Sequence, residues 1–403
     1  MATERIAVLF GGKSVEHEVS IITGHQAMDA LEAAGFSVLP IYVTKQGAWH
    51  AGRPLYDLKL YKGPSSVLAG GGRLEELKGV YRVSLSPDPS VRQLVPHPRS
   101  KRGLFSKDPA LWADVFFPAI HGSTGEDGMI QGVFELADVP YVGCDLPSSV
   151  FGIDKHRMKV LYRSAGLAVL DCLVAGRAQW DRGKAAFLER VEAAFPYPVM
   201  VKPVSLGSSI GVKRCESRGE MESALETALV IDDRALVEPA LTDFIEVNCS
   251  VLGPPARASI CEQPCYQGQL LSFDDKYKAG RNQKGRKQAG AGMASLDRMI
   301  PAPIADELAK RIREMSVAAF ETIGAAGVAR VDFLVDNPTG RVYLNEINTM
   351  PGSLSFYLWE KSEPRLAFDE LVTRLVQIAL ERHEEKKKTQ RSFEVNLLAT
   401  AKD

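Results

Sequence analysis

Short apolar runs alternate with amphipathic segments over the first part of the chain, a pattern that predicts an α/β layer. The opening run ends at Gly11-Gly12, and the helical pattern behind it continues to about Leu31, before Gly35. Residues 47–110 are rich in glycine, proline, serine and basic residues, and we interpret them as connecting excursions. The strands predicted for this part lie at 5–10, 36–43, 113–122 and 139–144.

The rest of the chain divides into two further units of mixed helix and strand. A helix predicted from Asp154 to Ala165 begins the first of them, and the second starts after Pro239. The other predicted elements are strands at 198–204, 210–214, 235–238 and 246–253, helices at 219–229, 304–323 and 365–384, and a hairpin at 328–348. We therefore expect three domains and a charged tail, at 1–145, 146–237, 238–385 and 386–403.

Composition narrows the class of protein without indicating its chemistry. The 403 residues carry 49 Lys and Arg against 50 Asp and Glu, and 45% of them are hydrophobic, as in an ordinary globular protein. This balance argues against long disordered tails and against binding of nucleic acid through bulk charge. No apolar stretch reaches about 18 residues, and the first residues do not form a signal peptide. We expect a cytoplasmic protein that does not enter a membrane.

The six cysteines fit the same compartment, because their spacing forms no zinc site. Cys261 and Cys265 lie close together, but no second pair of cysteines or histidines completes a metal site. We expect all six to be reduced thiols, as is usual in the cytoplasm.

The predicted hairpin near the end of the chain is the strongest candidate for chemistry. A turn over 336–340 pairs its two strands. In that register Arg330 lies opposite Glu346, and Asp332 lies opposite Leu344 on the same face.

Three oxygen ligands then converge on this face, namely Asp332, Glu346 and Asn348. Oxygen-only ligation suits Mg²⁺, which takes its remaining ligands from water and substrate phosphates. Arg330 beside them is placed to neutralise a developing oxyanion. The alternative is a surface hairpin with scattered polar residues, and a slip of one residue would separate the group.

A second candidate is the small loop that follows the strand ending near Lys202. Glycines such as Gly207 and Gly211 let backbone N–H groups approach phosphate oxygens, and Ser208 adds a hydroxyl. The loop lacks the helix and the glycine spacing of a Walker A motif. A plain hairpin turn is the alternative interpretation.

Two further polar stretches follow predicted strands, where open α/β sheets place their ligand sites. Residues 121–132 contain His121 and Glu126 among four glycines, and residues 11–20 contain Glu16. A lone histidine is more often structural, so this pattern alone does not assign His121 as a base.

Residues 276–292 are basic and glycine-rich, with no apolar period. A segment of this length and composition is typical of a mobile lid that covers an active site. The alternative, a nucleic-acid patch, is weakened by the near-neutral chain and by the absence of interleaved aromatic residues.

In this order the motifs resemble those of the D-alanine–D-alanine ligases, members of the ATP-grasp superfamily, over residues 5–382. The segments that carry the resemblance are LFGGKSVEHEVS, FPAIHGSTGEDGMIQG, YVGC, DKHRMK, VKPVSLGSSIGV, KY at 276–277, ARVDFL and YLNEINTMPG. The resemblance implies an ATP-grasp fold of mixed α/β and α+β class. An N-terminal Rossmann-like domain is followed by two α+β domains that clamp ATP.

The resemblance also implies roles at matching positions. For ATP these are Lys155, Lys202 and Lys276 on the phosphates, Glu238 and Leu241 at the adenine, and Glu246 at the ribose. For two Mg²⁺ (or Mn²⁺) ions they are Asp332, Glu346 and Asn348. For the amino acids they are Glu16, tied through Ser208 to Tyr277, His121 in the first-substrate pocket, and Arg330 and Gly352 at the tetrahedral intermediate.

The implied activity joins two D-alanine molecules through an acyl phosphate for peptidoglycan synthesis, and thus for cell-wall biogenesis and cell shape. The implied partners are small molecules and a second copy of the chain, with no nucleic acid or membrane. Tyr357 departs from the family pattern, which usually has a serine there to hold the carboxylate of the second substrate. The basic lid is also longer than expected, so D-lactate, D-serine or another second substrate stays open. Tyr277 argues for an amine acceptor.

Two functions of other classes fit the sequence less well. A nucleotide-binding regulator without turnover is disfavoured by the intact set of predicted lysines and metal ligands. A dehydrogenase is excluded because no G-x-G-x-x-G follows the first strand.

Overall fold

Helices and strands alternate along the chain and build three β-sheets, which confirms the predicted mixture of elements. The protein is represented by a computed structural model that describes residues 4–62, 66, 74–91, 93–97, 111–265 and 297–390. Within these ranges no helix is both long enough and apolar enough to span a bilayer.

The first sheet is built around the predicted parallel pair. Its strands are β1 (Arg5–Gly11), β2 (Ser37–Val43), β3 (Trp49–Ala51), β4 (Tyr81–Ser84), β5 (Gln93–Pro96), β6 (Leu111–Trp112) and β7 (Val115–Pro118). They lie in the order β6-β5-β4-β3-β2-β1-β7, and β1 runs parallel to both of its neighbours. Helix α1 (His17–Ala33) connects β1 to β2, so the carboxyl end of β1 delivers the residues around Glu16 to one edge.

Two expectations for this sheet are wrong. Residues 47–110 supply β3, β4 and β5, which extend the sheet by antiparallel pairing instead of serving only as connections. These strands have three or four residues, too few for an alternating pattern to stand out. Residues 139–144 form only an isolated bridge from Tyr141 to Phe116, because Pro140 lacks an N–H and Gly143 has a positive φ of 96°.

The second sheet is smaller and antiparallel. Its strands are β8 (Leu173–Gly176), β9 (Val199–Pro203), β10 (Lys213–Cys215) and β11 (Arg234–Pro239). They lie in the order β10-β9-β11-β8, and their apolar face packs against two helices, α5 (Arg177–Ala194) and α6 (Arg218–Ile231). Three helices lead into this sheet, α2 (Met129–Ala137), α3 (Leu146–Ile153) and α4 (Lys155–Ser164). Asp154 caps α4 by accepting a hydrogen bond from the backbone N–H of Arg157 at 2.8 Å.

The third sheet contains the predicted hairpin. Its strands are β12 (Phe244–Gly253), β13 (Arg257–Pro264), β14 (Arg298–Met299), β15 (Gly327–Asp336) and β16 (Arg341–Asn348). They lie in the order β14-β13-β12-β15-β16, all antiparallel, with α7 (Asp306–Thr322) packed on one face. Two helices end the described chain, α8 (Phe356–Trp359) and α9 (Phe368–Lys387).

The last helix packs into the core of the first sheet. Leu371, Leu375 and Ile378 of α9 belong to the same buried cluster as Ile6 and Val8 of β1. Every one of these side chains is at most 2% exposed. The two ends of the chain therefore share one hydrophobic core.

Trp359 joins this core to the third sheet. Its side chain is fully buried, and its indole N–H donates to Oγ of Ser250 on β12 at 3.1 Å. The guanidinium of Arg257 lies 5.1 Å from the centre of the ring.

Replacing this indole should destabilise the protein strongly. Trp359→Ala leaves a large cavity and removes the hydrogen bond from the indole to Ser250, whose hydroxyl keeps its bond to the carbonyl of Ala329. We therefore expect the free energy of unfolding to fall by about 3–5 kcal/mol. Urea denaturation followed by circular dichroism measures the change. Val230→Ala serves as the control, because Val230 is 80% exposed and its loss should change stability little. Equal stability of the two variants would contradict the packing role of Trp359.

Candidate functional site

Two clefts meet between the three sheets. Cleft A has a volume of about 650 Å³ and is lined from the β1–α1 connection, the loop after β7, the glycine-rich loop after β9, and β15 and β16. Cleft B has a volume of about 820 Å³ and lies between the second and third sheets. Lys155 and Glu346 line both clefts, so these two side chains stand at the junction.

Cleft B collects the residues predicted to hold ATP. Those among its lining are Lys155, Lys202, Glu238, Leu241 and Glu246. Its other walls include apolar side chains, those of Leu170, Met200, Phe244 and Leu334 among them. A flat apolar ring with polar edges and an attached anionic chain suits such a space.

A buried ion cluster forms one wall of cleft B. The Glu238 carboxylate lies 2.6 Å from Nζ of Lys202 and 2.8 Å from Nζ of Lys159, through different oxygens. Burial alone would raise the pKa of Glu238, but the two lysines hold that pKa at about 2, so the carboxylate is charged. Lys202 also donates to Oδ1 of Asn345 at 3.0 Å.

The junction of the clefts places a cation against an anion. Nζ of Lys155 donates to the carbonyl of Leu206 at 2.7 Å and lies 3.4 Å from Oε2 of Glu346. Lys155 is the first residue of α4, which the Asp154 cap orients. One lysine can therefore reach a group in either cleft.

Glu16 dominates the first-sheet side of cleft A. It is 7% exposed, and its Oε1 accepts a hydrogen bond from the Ser208 hydroxyl of the glycine-rich loop. Gly122 has a φ of 70°, and a Cβ there would lie only 2.6 Å from Oε2 of Glu16. A glycine is thus needed for this carboxylate to reach its position.

His121 is held as a neutral ring in the same cleft. Its Nδ1 lies 2.9 Å from the carbonyl of Met350 and must carry the proton, so Nε2, at 2.8 Å, accepts from the hydroxyl of Thr23. Burial and the charge of Arg330 lower the pKa of His121 to about 4. The ring fixes the position of the loop after β16 and carries no charge at neutral pH.

Glu126 is a site residue that the sequence motif contained but did not single out. It is 8% exposed and lines cleft A. Its carboxylate accepts from the backbone N–H of Gly122 at 2.7 Å and from that of Met350 at 2.9 Å, joining two loops 224 residues apart. Burial and the neighbouring Glu16 raise the pKa of Glu126 to about 8. In the sequence, the only indication that Glu126 belongs to the site is its position inside a glycine-rich segment after a strand.

The register predicted for the hairpin is wrong by two residues at its far end. Asp336 pairs with Arg341, so the turn has four residues and not five, and an extra residue, Asn345, forms a β-bulge in β16. Asp332 consequently lies opposite Glu346 instead of Leu344. Arg330, by the same shift, lies opposite Asn348 instead of Glu346. The four polar side chains still share one face, as expected.

Arg330 and Asp332 form a bidentate pair on this face. The Nε–Oδ1 and NH2–Oδ2 distances are both 2.7 Å, and Asn348 donates to Oδ2 of Asp332 at 3.0 Å. Asp332 lines neither cleft, whereas Arg330, Glu346 and Asn348 all line cleft A. The adjoining carboxylate raises the pKa of Arg330 well above its usual value, in spite of burial.

The predicted metal ligands fit a magnesium site by the chemistry of their donors. Two carboxylates and one amide lie together on adjacent strands, which is the oxygen-rich, partly filled set that Mg²⁺ uses. Asn348 points its nitrogen at Asp332, so its oxygen is the atom that can face a cation. Over residues 4–62, 74–97, 111–265 and 297–390, as far as they are described, no group of three or more His, Cys, Asp or Glu side chains forms a metal cluster.

Of the remaining predicted residues, one lies apart from both clefts, one lines cleft A and two lie outside the described chain. Tyr357 is buried away from both clefts, with its hydroxyl 3.3 Å from Oε1 of Glu262 and its ring 4.0 Å from the guanidinium of Arg298. Gly352 lines cleft A. Lys276, Tyr277 and the predicted lid at 276–292 lie outside the described residues.

Comparison with protein families identifies both halves of the chain. Residues 5–144 match the model for the D-ala D-ala ligase N-terminus, and residues 161–377 match the model for the D-ala D-ala ligase C-terminus. The chain is 37% identical to the D-alanine–D-alanine ligase of Heliobacterium modesticaldum, over 96% of this chain and 98% of that protein. It is 33% identical to the enzyme of the same name from Geobacillus thermodenitrificans, over 97% and 99% of the two chains.

Solved structures show the same architecture. The D-alanine-D-alanine ligase from Coxiella burnetii superposes with a TM-score of 0.75 at 26% identity, over 96% of this chain and 97% of that one. The VanG D-Ala:D-Ser ligase from Enterococcus faecalis superposes with a TM-score of 0.73 at 29% identity, over 94% and 99%.

The raised pKa of Glu126 gives a testable pH dependence. The folded protein binds this proton more tightly than the unfolded chain, so the stabilisation is complete below about pH 4.5 and is lost as the pH rises through about 8. We expect the stability of the protein relative to Glu126→Gln to fall by about 3 kcal/mol between pH 5.5 and 8.5. Urea denaturation at both pH values measures it. Glu135→Gln is the control, because the pKa of Glu135 is lowered and it stays charged over this range. A difference that does not change with pH would contradict the assignment.

Proposed function

This chain belongs to the D-alanine–D-alanine ligase family, and from that premise we propose that it is an ATP-dependent ligase that joins two D-alanine molecules. The product is D-alanyl-D-alanine, which peptidoglycan synthesis uses for the cell wall and the maintenance of cell shape. A cytoplasmic location, where ATP is available, is part of the same proposal.

The observation that carries the proposal is the junction of the two clefts at Lys155 and Glu346. Cleft B offers apolar walls and lysines, which suit a nucleotide, and cleft A offers the carboxylate of Glu16 and the guanidinium of Arg330, which suit an amino acid. A phosphate chain that extends from cleft B ends at the junction. Its terminal phosphate there meets a carboxylate bound in cleft A.

The first step transfers the γ-phosphate. The carboxylate of the first D-alanine attacks the γ-phosphorus, the bond to the β-phosphate oxygen breaks, and ADP leaves an acyl phosphate behind. Lys155 and Lys202 offset the repulsion between the two anions, so the protein contributes mainly positioning and electrostatic stabilisation. Glu16, fixed by Ser208, accepts hydrogen bonds from the ammonium group of this D-alanine.

Asp332, Glu346 and Asn348 are the residues we propose to hold two Mg²⁺ (or Mn²⁺) ions. When bound, these ions supply neutralising charge to the phosphates. The bidentate grip of Arg330 fixes the orientation of the Asp332 carboxylate before any ligand arrives.

The second step forms the peptide bond. The neutral amine of the second D-alanine attacks the acyl carbon, and the C–O bond to the phosphate breaks. The phosphate leaves with the electrons of that bond and takes up the proton that the nitrogen releases. Arg330, which stays charged in its buried position, and the backbone N–H of Gly352 face the oxyanion that develops. Leu241 and Glu246 hold the adenine and ribose in this proposal, and Lys276 and Tyr277 act from the lid.

Tyr357 makes the identity of the second substrate a point to be tested. Its hydroxyl donates to Glu262, so we do not expect it to hold the carboxylate of the second substrate as a serine would. The similarity to a D-Ala:D-Ser ligase makes D-serine the natural competitor to test.

Phosphate release with product identification tests this function. We expect ATP and D-alanine alone to yield phosphate and D-alanyl-D-alanine, and we expect D-serine or D-lactate paired with D-alanine to give less mixed product. Glu346→Ala should lower the rate by at least about 100-fold, because it removes a charged group at the junction of the clefts. Glu384→Ala, at a side chain on α9 that is 68% exposed, should leave the rate unaltered. No dipeptide from D-alanine alone would refute the proposed reaction, and intact nucleotide binding without turnover would indicate a regulator.

We further propose that two copies of the chain associate through the outer face of α2. Met129 and Leu136 lie seven residues apart on that helix and are 65% and 67% exposed. Leu146 at the start of α3 is 38% exposed and lies beside them, near Gly132. Large apolar side chains in this arrangement are typical of an interface.

Light scattering after gel filtration tests the homodimer. We expect a mass twice the 44.0 kDa of one chain, and we expect Leu136→Glu to reduce it to 44.0 kDa by placing a charge in the interface. Val230→Glu, at another strongly exposed apolar position, on α6, should keep the larger mass. A single-chain mass for the unaltered protein would end the proposal.

A further inference from the structure

Lys159 is a buried lysine to which the reaction described above gives no role. It lies on α4 one helical turn after Lys155, and it is 2% exposed. It lines neither cleft. A lysine buried to this degree is retained only where its charge is paired.

Its partners lie in the wall of cleft B. Nζ of Lys159 is 2.8 Å from Oε2 of Glu238 and donates to the carbonyl of Leu170 at 3.2 Å. Glu238 and Leu170 both line cleft B, so Lys159 stands behind them. It therefore touches the nucleotide site without reaching into it.

Lys202 shares the same carboxylate from the other side. Its Nζ lies 2.6 Å from Oε1 of Glu238, and it lines cleft B. Two ammonium groups thus meet one carboxylate inside a region where water does not screen them. The cluster of Lys159, Lys202 and Glu238 carries a net charge of about +1.

That surplus charge is what an anionic ligand in cleft B encounters. If Glu238 were paired with Lys202 alone, the pair would be neutral and the Lys202 ammonium would attract a phosphate only weakly. Because Lys159 offsets part of the negative charge of Glu238, Lys202 attracts a phosphate more strongly. We propose that Lys159 is a positioning residue that neutralises Glu238 from behind, so that Lys202 presents a net positive charge to the phosphates of the nucleotide.

This inference rests on the proposed function, because it takes the ligand of cleft B to be a nucleoside triphosphate. Its test uses binding and not turnover. Inorganic triphosphate is the probe, since it reports on the phosphate site without the adenine contacts of Glu238. Isothermal titration calorimetry of the full chain gives the affinity of each variant.

The series of variants changes the charge of the cluster in steps. Lys159→Met leaves a net charge of about 0, Glu238→Gln leaves about +2, and the double variant returns to about +1. We expect Lys159→Met to weaken triphosphate binding about 10-fold and the double variant to restore it to within about 3-fold of the unaltered protein. Lys310→Met, at an exposed lysine on α7, should bind as the unaltered protein does.

Each result separates the electrostatic role from a structural one. Restored binding in the double variant supports the proposal, because a lysine needed only for packing would leave the double variant as weak as Lys159→Met. Unchanged binding in Lys159→Met would overturn it. If Lys159→Met does not fold, tighter binding by Glu238→Gln than by the double variant supports the proposal, and equal binding by these two overturns it. Suppose that the unaltered protein forms no dipeptide while the triphosphate affinities of the variants still follow the net charge of the cluster. That result would refute the ligase proposal and not this one.

Discussion

One extra residue in β16 determines which polar side chains face the clefts. The four-residue turn by itself pairs the strands so that Asp332 lies opposite Asn345. Side chains alternate along a strand, so Glu346 and Asn348 would then point to the other side of the sheet. The bulge at Asn345 moves them back beside Asp332, and the set of side chains at the junction of the clefts depends on that shift.

Opposite charges are sorted between the two clefts at close range. Cleft A has the carboxylate of Glu16 and, at the junction, that of Glu346, and cleft B gathers lysines around Glu238. An ammonium group gains from the first environment and a polyphosphate from the second, because burial strengthens both interactions. Cleft A thereby favours the ammonium group of the amino acid, and cleft B favours the polyphosphate of the nucleotide. The neutral total of the composition conceals this separation.

Much of the fold follows from apolar periodicity, and the exceptions have physical reasons. The long elements, such as α1, α7 and β12, repeat their pattern often enough to be recognised, whereas the three-residue β3 does not. The positions of His121 and Glu126 beyond a strand were predictable, but their partners were not. Met350 lies 229 residues from His121, and no local pattern indicates that its carbonyl and N–H meet those two side chains.

The hairpin likewise separates what the sequence predicts of the site from what only the folded chain shows. Its acidic and amide residues were recognisable because Mg²⁺ chemistry needs oxygen donors. The bulge was not, because Asn345 is an ordinary residue in an otherwise alternating strand. The role of Lys159 was hidden for a different reason. A lysine in a helix is usually solvated, and only the folded chain brings Glu238 against it.

The shared core of β1 and α9 has a consequence for how the protein is made. Ribosomes synthesise the chain from its N-terminus, so β1 and α1 emerge more than 330 residues before Leu371 of α9. Until then the apolar face that α9 covers has no permanent partner, and contacts of such long sequence separation form slowly. The first sheet therefore completes its hydrophobic core only after α9 has been synthesised. A chain truncated before α9 leaves that face exposed to chaperones and to aggregation.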